Sequence, residues 1–227
     1  MTPPITVLIV DDQSLMRMGF AMVLKAEDDI AVVGEAADGP AALDQVAALR
    51  PDIVLMDVRM PGFDGIEATR RVVQSSPDTR VIVLTTFDLD EYAIGAINAG
   101  ASGFLLKDVR PHDLVAAIRA VANGDATISP RVTRRMLDLF AGHLPMAAAP
   151  AEMAADPLAV LTPRERDVFD GVVAGQSNAE IGRALTVSET TVKTHVAGIL
   201  TKLGLRDRLQ TVVWAYQNGL VKPTTSA

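Results

Sequence analysis

Five side chains at widely separated positions could together perform phosphate chemistry. Asp11 and Asp12 follow one apolar run of the sequence, Asp57 and Thr85 come at the ends of two others, and Lys107 follows a further one. Carboxylates that lie close together repel one another unless a cation is bound or one of them takes up a proton. Oxygen ligands with room for water suit Mg²⁺, while a threonine hydroxyl and a lysine ammonium suit the oxygens of a phosphoryl group. The set therefore predicts a carboxylate nucleophile that accepts phosphate with the help of Mg²⁺.

The apolar runs that carry these residues are short and alternate with helical patterns. Continuous apolar strands separated by helices indicate a parallel sheet with helices on both faces, so we predict an open, doubly wound α/β domain of five strands. Ligands of such sheets bind at the carboxyl ends of the strands. Taken singly, each of the five residues is more typical of a helix cap, a turn or a solvated surface, and the prediction rests on their common place at strand ends. The predicted strands cover residues 5–10, 30–34, 53–56, 81–84 and 102–106.

The composition excludes several kinds of site and of protein. The 227 residues allow one large domain or two small ones, and the hydrophobic share of 49% with 22% charged residues is typical of folded chains. The sequence has no cysteine, which excludes disulfides, thiolate metal sites and cysteine nucleophiles. The N-terminus lacks the basic region of a signal peptide, and no apolar run is long enough to span a bilayer. We therefore expect a soluble, cytoplasmic protein without a membrane partner.

Charge is uneven along the chain and suggests two parts with different tasks. Residues 1–125 contain 10 basic and 19 acidic side chains, whereas residues 161–227 contain 8 basic and 6 acidic ones. Between them, residues 126–160 have a helical pattern at 129–140, followed by an Ala- and Pro-rich stretch that is typical of a linker. We predict a first domain at 1–125, a helix and linker at 126–160, and a second domain at 161–221.

The second domain is predicted to be a small all-α domain of four capped helices. Thr162 and Ser177 each stand three residues before a glutamate, which is the capping-box pattern. Ser188 and Asp207 can cap the third and fourth helices. Residues 185–187 are all that separates the second helix from the third, and this spacing is typical of a helix-turn-helix.

The third of these helices has one apolar face and one face of small side chains. The small-residue face carries Thr190, Thr194 and Ala197, with Lys193 and His195 on its flanks. Such a helix can lie close in a DNA major groove, because threonine and lysine reach bases or phosphates and methyl groups contact thymine. An ordinary four-helix domain with a polar outer face stays an alternative, since the excess of positive charge is modest. Candidate phosphate contacts are Arg183, Lys202, Arg206 and Arg208.

Several short stretches of the first domain match a known family. They are Val10-Asp11-Asp12, residues 55–62, Asp64-Gly65, Leu84-Thr85 and residues 100–107. With them, residues 5–123 resemble the receiver domain of bacterial response regulators. The resemblance implies a flavodoxin-like sheet of strand order 2-1-3-4-5 and phosphorylation of Asp57 by a sensor histidine kinase. It also implies that Asp12, Asp57 and the backbone carbonyl of Arg59 contact Mg²⁺ directly, and that Asp11 acts through water.

The same resemblance implies how the site changes on phosphorylation. Thr85 and Lys107 would bind the phosphoryl oxygens, and Thr85 would move toward the phosphate and let the side chain at position 104 turn inward. That residue is Phe104, where many receivers carry tyrosine. A version of the switch that depends on a hydroxyl group is therefore not available to this chain.

The second domain also matches a known family, in residues 161–168, 175–181 and 188–196. Residues 161–221 resemble the LuxR-type helix-turn-helix domain. The resemblance implies binding to double-stranded DNA with Lys193, Thr194 and Ala197 facing the bases, and dimerisation through the fourth helix. On that helix a core stripe of Leu209, Val212, Val213 and Tyr216 leaves out Thr211, Trp214 and Ala215, which are the predicted dimer interface. The alternative is that Trp214 packs against its own domain or the linker.

Together the two resemblances predict a two-domain response regulator of the NarL/FixJ type, a transcription factor that forms a homodimer on promoter half-sites when Asp57 is phosphorylated. One rival is a phosphatase of the haloacid-dehalogenase kind, but its chemistry needs a second aspartate two residues after the nucleophile, where this chain has Arg59. We therefore expect no enzyme. A second rival is a helix-turn-helix regulator whose receiver is independent of phosphorylation and is gated by a ligand or a partner protein.

Overall fold

The chain divides into two units, Met1–Thr127 and Ile128–Ala227. The structure, a computed structural model, describes residues 3–86, 95–123 and 156–220. The predicted helix at 129–140 and almost all of the predicted linker lie outside the described residues. Within the described residues, no helix is both long enough and apolar enough to cross a membrane.

Five parallel strands form a single sheet in the first unit. Their order is β2-β1-β3-β4-β5, which confirms the predicted doubly wound sheet. The second strand runs two residues further than predicted, because Glu35 and Ala36 pair with Ile9 and Val10 beyond a register shift between Val7 and Leu8. The strands are β1 (Ile5–Val10), β2 (Ile30–Ala36), β3 (Ile53–Asp57), β4 (Arg80–Thr85) and β5 (Gly103–Leu106).

Helices cover the sheet and start from short capping contacts. Asp38 accepts a hydrogen bond from the Ala41 amide, and Asp64 accepts one from the Ile66 amide, so each carboxylate satisfies a free donor at a helix start. The central strand β3 is completely buried, as a sheet covered on both faces requires. The helices are α1 (Ser14–Lys25), α2 (Gly39–Leu49), α3 (Gly65–Ser75) and α4 (Pro111–Ala122), and residues 95–98 are also helical.

The second unit contains four helices within residues 156–220. All four predicted N-caps are confirmed, since Thr162, Ser177, Ser188 and Asp207 each accept a hydrogen bond from the amide three residues on. Both predicted capping boxes are complete. The helices are α5 (Pro163–Val173), α6 (Asn178–Leu185), α7 (Glu189–Leu203) and α8 (Arg208–Gln217).

Helix α8 is more deeply buried than its sequence pattern predicts. Thr211 and Ala215, expected to lie off the core stripe, have only 1% and 0% of their surface exposed, so that expectation is wrong. The reason is that α8 packs against both α5 and α7, which gives it a wider buried face than a single stripe. Trp214 lies edge-on to Phe169 with the ring centroids 6.1 Å apart, and it therefore packs against its own domain.

Candidate functional site

Three carboxylates converge at the carboxyl ends of neighbouring strands. Asp11 follows β1 and Asp57 ends β3, and these two strands pair directly in the sheet. Asp11, Asp12 and Asp57 each offer an oxygen atom, and these atoms lie within 4.8 Å of one another. Asp11 and Asp57 are buried, whereas Asp12 is exposed. The arrangement is an acidic site with one side open to solvent.

A buried lysine bridges two of these carboxylates. The Lys107 ammonium nitrogen lies 2.7 Å from Asp11 Oδ2 and 2.9 Å from Asp57 Oδ2. Lys107 stands directly after β5, where its amide donates to the Thr85 carbonyl oxygen at 2.7 Å. The hydrogen bond continues the pairing of β4 with β5 and directs the lysine side chain to the same edge of the sheet as the acids.

The charges of this site depend strongly on one another. Burial raises the pKa of Asp57, and the hydrogen bond from Lys107 opposes that rise without cancelling it. Burial also disfavours the charged form of Lys107, but hydrogen bonds to Asp11 and Asp57 outweigh it and raise the pKa of the lysine. Lys107 is therefore held as a cation, and its positive charge favours the ionised form of the Asp57 carboxyl.

Asp11 is held in place from three directions. Its Oδ1 accepts a hydrogen bond from the Gln13 amide at 2.9 Å, and its own amide donates to the Ala36 carbonyl at 3.2 Å. The guanidinium of Arg17 donates to the Asp11 carbonyl oxygen at 2.7 Å and lies 3.6 Å from Glu35 Oε2. Arg17 was not among the residues predicted from the sequence, although a basic residue one turn into the helix that follows an acidic pair is a signal that could have identified it.

The loop after β3 is shaped by the Asp57 carboxylate and backbone. The Arg59 amide donates to Asp57 Oδ1 at 3.2 Å, so the backbone turns back toward the carboxylate. The Gly65 amide donates to the Val58 carbonyl at 3.1 Å. Gly65 also lies so close to the Asp57 backbone that a β-carbon there would stand 1.9 Å from the carbonyl oxygen. Helix α3 can therefore begin at this point only with glycine.

The remaining two predicted receiver residues are both buried. Thr85 has 2% and Phe104 4% of its surface exposed. Thr85 ends β4 next to β3, since Asp57 pairs with Leu84 in the sheet register, and this places it at the same edge as the acidic site. The Phe104 side chain is already inside the domain in this structure.

A second group of predicted residues lies on α7. Thr190, Lys193, Thr194 and Ala197 are exposed, His195 is half-buried, and the apolar face of the helix is buried as predicted. The Thr194 hydroxyl donates to the Thr190 carbonyl at 3.1 Å. Lys193 lies 3.7 Å from Glu189 on the same helix. The outer face of α7 is thus built of short side chains, together with Lys193, which is ion-paired to Glu189 in the first turn of the same helix.

The turn between α6 and α7 is tight, and the backbones on its two sides lie close together. Thr186 adopts a left-handed conformation with φ of 55°, and the Val187 amide donates to the Gly182 carbonyl at 2.9 Å. A β-carbon on Gly182 would lie 2.9 Å from the Val187 carbonyl oxygen. The glycine therefore lets α7 leave the turn directly beside α6.

Two predicted phosphate contacts have hydrogen-bond or ion-pair partners within the domain. Arg208 is 8% exposed and donates to Asn178 Oδ1 at 2.9 Å and to the Gln176 carbonyl oxygen. Its guanidinium is therefore part of the interior and does not lie on a surface that DNA could contact. The Lys202 ammonium lies 2.6 Å from Glu165 Oε2. Arg183 is exposed, and Arg206 is half-buried.

Comparisons with known proteins agree with both halves of this description. The family model of the response regulator receiver domain matches residues 7–119, and that of the bacterial regulatory proteins of the luxR family matches residues 159–215. The uncharacterized transcriptional regulatory protein YxjL of Bacillus subtilis (strain 168) is 42% identical over 219 residues, which cover 96% of this chain and 98% of that protein. The chain is a response regulator of the NarL/FixJ type.

Other relatives of this response regulator match it over a similar length. The nitrate/nitrite response regulator protein NarL of Escherichia coli (strain K12) is 35% identical over 214 residues, covering 94% of this chain and 96% of NarL. The crystal structure of the response regulator ChrA of a heme-sensing two-component system is 32% identical with a TM-score of 0.51, covering 96% and 99% of the two chains. The family consists of DNA-binding transcriptional regulators rather than enzymes, which excludes the phosphatase alternative.

Proposed function

We propose that this response regulator is switched by phosphorylation of Asp57 and then binds promoter DNA as a dimer. The observation that carries the proposal is the juxtaposition at one sheet edge of Asp57, two further acids and a buried lysine. A buried cation beside a carboxylate is the arrangement needed to stabilise an added phosphoryl group, because phosphoryl transfer depends mainly on positioning and charge neutralisation.

The donor in this proposal is the phosphohistidine of a sensor kinase. A carboxylate oxygen of Asp57 attacks the phosphorus atom, the new O–P bond forms as the P–N bond breaks, and the leaving imidazole takes up a proton. The product is an acyl phosphate that carries a charge of about −1.5 to −2 near neutral pH. Lys107, already 2.9 Å from the acceptor carboxylate, is placed to pair with the new phosphoryl oxygens, and Thr85 ends the adjacent strand.

The donor set at this edge fits Mg²⁺. Asp12, Asp57 and the backbone carbonyl of Arg59 would hold the ion directly, and Asp11 would act through water. The fit rests on three carboxylate oxygens within 4.8 Å of one another, of which Asp12 is exposed to solvent. Both side-chain oxygens of Asp11 already have partners in Gln13 and Lys107, which suits a contact with the ion through water rather than directly. Bound Mg²⁺ supplies positive charge that balances the acids and the phosphoryl group.

The output in this proposal is DNA binding by a homodimer. Two copies of α7 would enter the major groove at half-sites about one helical turn apart, with Thr190, Lys193, Thr194 and Ala197 toward the bases. The phosphoryl group would favour the dimer by shifting the receiver between two conformations. Of the residues predicted at the dimer interface, Trp214 is the one with surface that a second copy could reach, since Thr211 and Ala215 are buried.

The proposal is tested with wild-type chain and Asp57→Asn, each incubated with acetyl phosphate and Mg²⁺. We expect wild type to gain the mass of one phosphoryl group, to dimerise in analytical ultracentrifugation and to bind its DNA more tightly, and we expect Asp57→Asn to do none of these. Equal dimerisation and DNA affinity in the two samples would favour a receiver that is gated by a ligand or a partner protein. Tight DNA binding by neither sample would instead contradict the role of the second domain.

A further inference from the structure

One carboxylate connects the first helix of the DNA-binding domain to the helix that would enter the DNA groove. Glu165 Oε2 accepts a hydrogen bond from the Thr162 amide at 2.7 Å, which is half of the capping box of α5, and another from the Thr162 hydroxyl at 2.8 Å. The same oxygen lies 2.6 Å from the ammonium nitrogen of Lys202, in the last turn of α7. The Glu165 side chain is 9% exposed and the Lys202 side chain 37% exposed, so the two helix ends share an ion pair whose carboxylate is buried.

A glycine on α7 makes room for this carboxylate. A β-carbon at Gly198 would lie 2.9 Å from Glu165 Oε1. Gly198 and Lys202 are four residues apart and therefore lie on the same face of the helix. On α7, Gly198 leaves space for the Glu165 carboxylate and Lys202 pairs with it. Both contacts help to determine how α7 packs against α5.

The Lys202 ammonium is poorly placed to act as a DNA contact. To reach a phosphate it would have to leave Glu165 Oε2, which lies 2.6 Å away, and the carboxylate would then lose its cation. Lys193 provides the contrast: its partner Glu189 lies 3.7 Å away on the same helix and is 54% exposed, whereas the Glu165 carboxylate beside Lys202 is 9% exposed. Two lysines on one helix therefore have different tasks.

We infer that Glu165 and Lys202 are positioning residues that set the orientation of α7 for reading DNA, and that Lys202 is not a phosphate contact. The inference rests on the proposed DNA binding through α7. It replaces the role that the sequence pattern suggests for Lys202, where a basic residue near the end of a recognition helix would neutralise the DNA backbone.

The test separates orientation from charge by measuring two properties of the full-length chain. A duplex is selected from a random pool with wild type treated with acetyl phosphate and Mg²⁺, and affinity is measured for it and for a scrambled duplex over a range of salt concentrations. The variants are Lys202→Gln and Glu165→Gln, with Lys193→Gln as the matched control. Glutamine at position 165 keeps a capping-box acceptor and removes only the charge that Lys202 needs.

We expect Lys202→Gln and Glu165→Gln each to lower the ratio of selected to scrambled affinity by about tenfold, as misplacing base contacts reduces specificity. The slope of log affinity against log salt should stay unchanged in both, and the double variant should be no worse than either single one. Lys193→Gln, which removes a cation proposed to face the bases, should also lower the ratio, but unlike the other two variants it should make the slope shallower by about 0.9.

Two results would overturn the inference. A shallower slope with an unchanged affinity ratio for Lys202→Gln would identify that lysine as a phosphate contact. An unchanged ratio and slope for Glu165→Gln well below its unfolding temperature would leave the residue a purely structural part of the fold.

If wild type enriches no duplex, the proposed DNA binding fails by itself. The inference is then judged by hydrogen exchange, where the amides of residues 199–204 should exchange faster in the 165 and 202 variants than in Lys193→Gln, and equal rates would refute it.

Discussion

The backbone of Gly65 lies directly against the carbonyl group of Asp57. A β-carbon at position 65 would stand 1.9 Å from that oxygen and 2.9 Å from its carbon, well inside any normal contact. The Asp57 atoms belong to the backbone, and a β-carbon has a fixed position on its own backbone, so neither can rotate away. The first turn of α3 and the end of β3 therefore hold each other in position at the residue proposed to carry the phosphoryl group.

Gly65→Ala should consequently displace Asp57 as well as weaken the fold. We expect a loss of about 1–3 kcal/mol in the free energy of unfolding and phosphorylation by acetyl phosphate slowed about tenfold or more. Urea unfolding and the rate of mass gain measure the two effects. The matched control is Gly19→Ala on α1, where an added β-carbon meets nothing within 4 Å. That change should stabilise the chain by about 0.5–1 kcal/mol, and a similar gain for Gly65→Ala would contradict the close packing.

Replacing Lys107 by methionine should destabilise the first domain strongly. The change leaves Asp11 and Asp57 buried without their shared cation, and breaking a buried pair in this way costs about 3–5 kcal/mol. The loss should shrink as the pH falls, because a protonated carboxyl no longer needs the cation. The pKa of Lys107 is raised above its usual 10.5, so the lysine stays charged from acidic to neutral pH, and only protonation of the carboxyls changes the loss over that range. Urea unfolding at neutral and acidic pH gives the comparison.

The control for this change is Lys25→Met at the exposed end of α1. It removes the same charge and should cost less than about 1 kcal/mol. A Lys107→Met chain as stable as the control at neutral pH would show that the ammonium group does not hold the two carboxylates together.

Asp57 should make the folded protein less stable as the pH rises. Burial raises its pKa in the folded chain above the ordinary value of 3.8. Between that value and the raised pKa the unfolded chain has released the proton while the folded chain keeps it, so folding stability falls with increasing pH. Asp57→Asn removes this effect and should be more stable than wild type at neutral pH, with a difference that narrows toward pH 4.

Urea unfolding of both chains across that pH range measures the difference. Asp44→Asn, on the exposed side of α2, controls for the loss of one negative charge without burial. If wild type and Asp57→Asn differ by a constant amount at every pH, the Asp57 carboxyl does not titrate abnormally.

The elements that position the acidic site follow from local sequence, which is why they could be predicted. Asp57 and Thr85 end strands because polar residues stop the apolar runs, and Ser177 and Ser188 cap helices through hydrogen bonds that span three residues. These strand ends and helix caps depend only on residues a few positions away in the chain. The carboxyl ends of parallel strands then meet for topological reasons, without any further information about individual side chains.

Long-range pairings could not be predicted in the same way. The partner of Lys202 lies 37 residues earlier in the chain and that of Arg208 lies 30 residues earlier, and the sequence shows each charge without showing which acceptor it meets. The burial of Thr211 depends on two other helices packing against α8. The role of Gly65 was visible only as a motif, because its reason is a backbone contact across a loop.

Arg208→Met should show that this arginine supports the fold of the second domain. Its guanidinium donates to Asn178 Oδ1 at 2.9 Å and to the Gln176 carbonyl, which ties the start of α8 to the start of α6. Losing hydrogen bonds from a charged donor costs about 2–3 kcal/mol, which lowers the melting temperature of a small domain by roughly 10 °C or more. Calorimetry of the full chain would detect the shift.

Arg183→Met is the control on the exposed surface of α6 and should change stability by less than about 0.5 kcal/mol. A contrary outcome would be an unshifted melting transition for Arg208→Met together with a weaker dependence of DNA binding on salt, which would return Arg208 to the set of phosphate contacts.

The edge-on contact between Trp214 and Phe169 has a practical consequence for experiments on the intact molecule. Trp214 is the single tryptophan of the chain. Excitation at the red edge of protein absorption therefore gives fluorescence from the helical domain and not from the domain with the sheet. An optical signal that responds to a phosphodonor would then have travelled from one half to the other, and its lag behind the chemical modification would time that passage without any added dye.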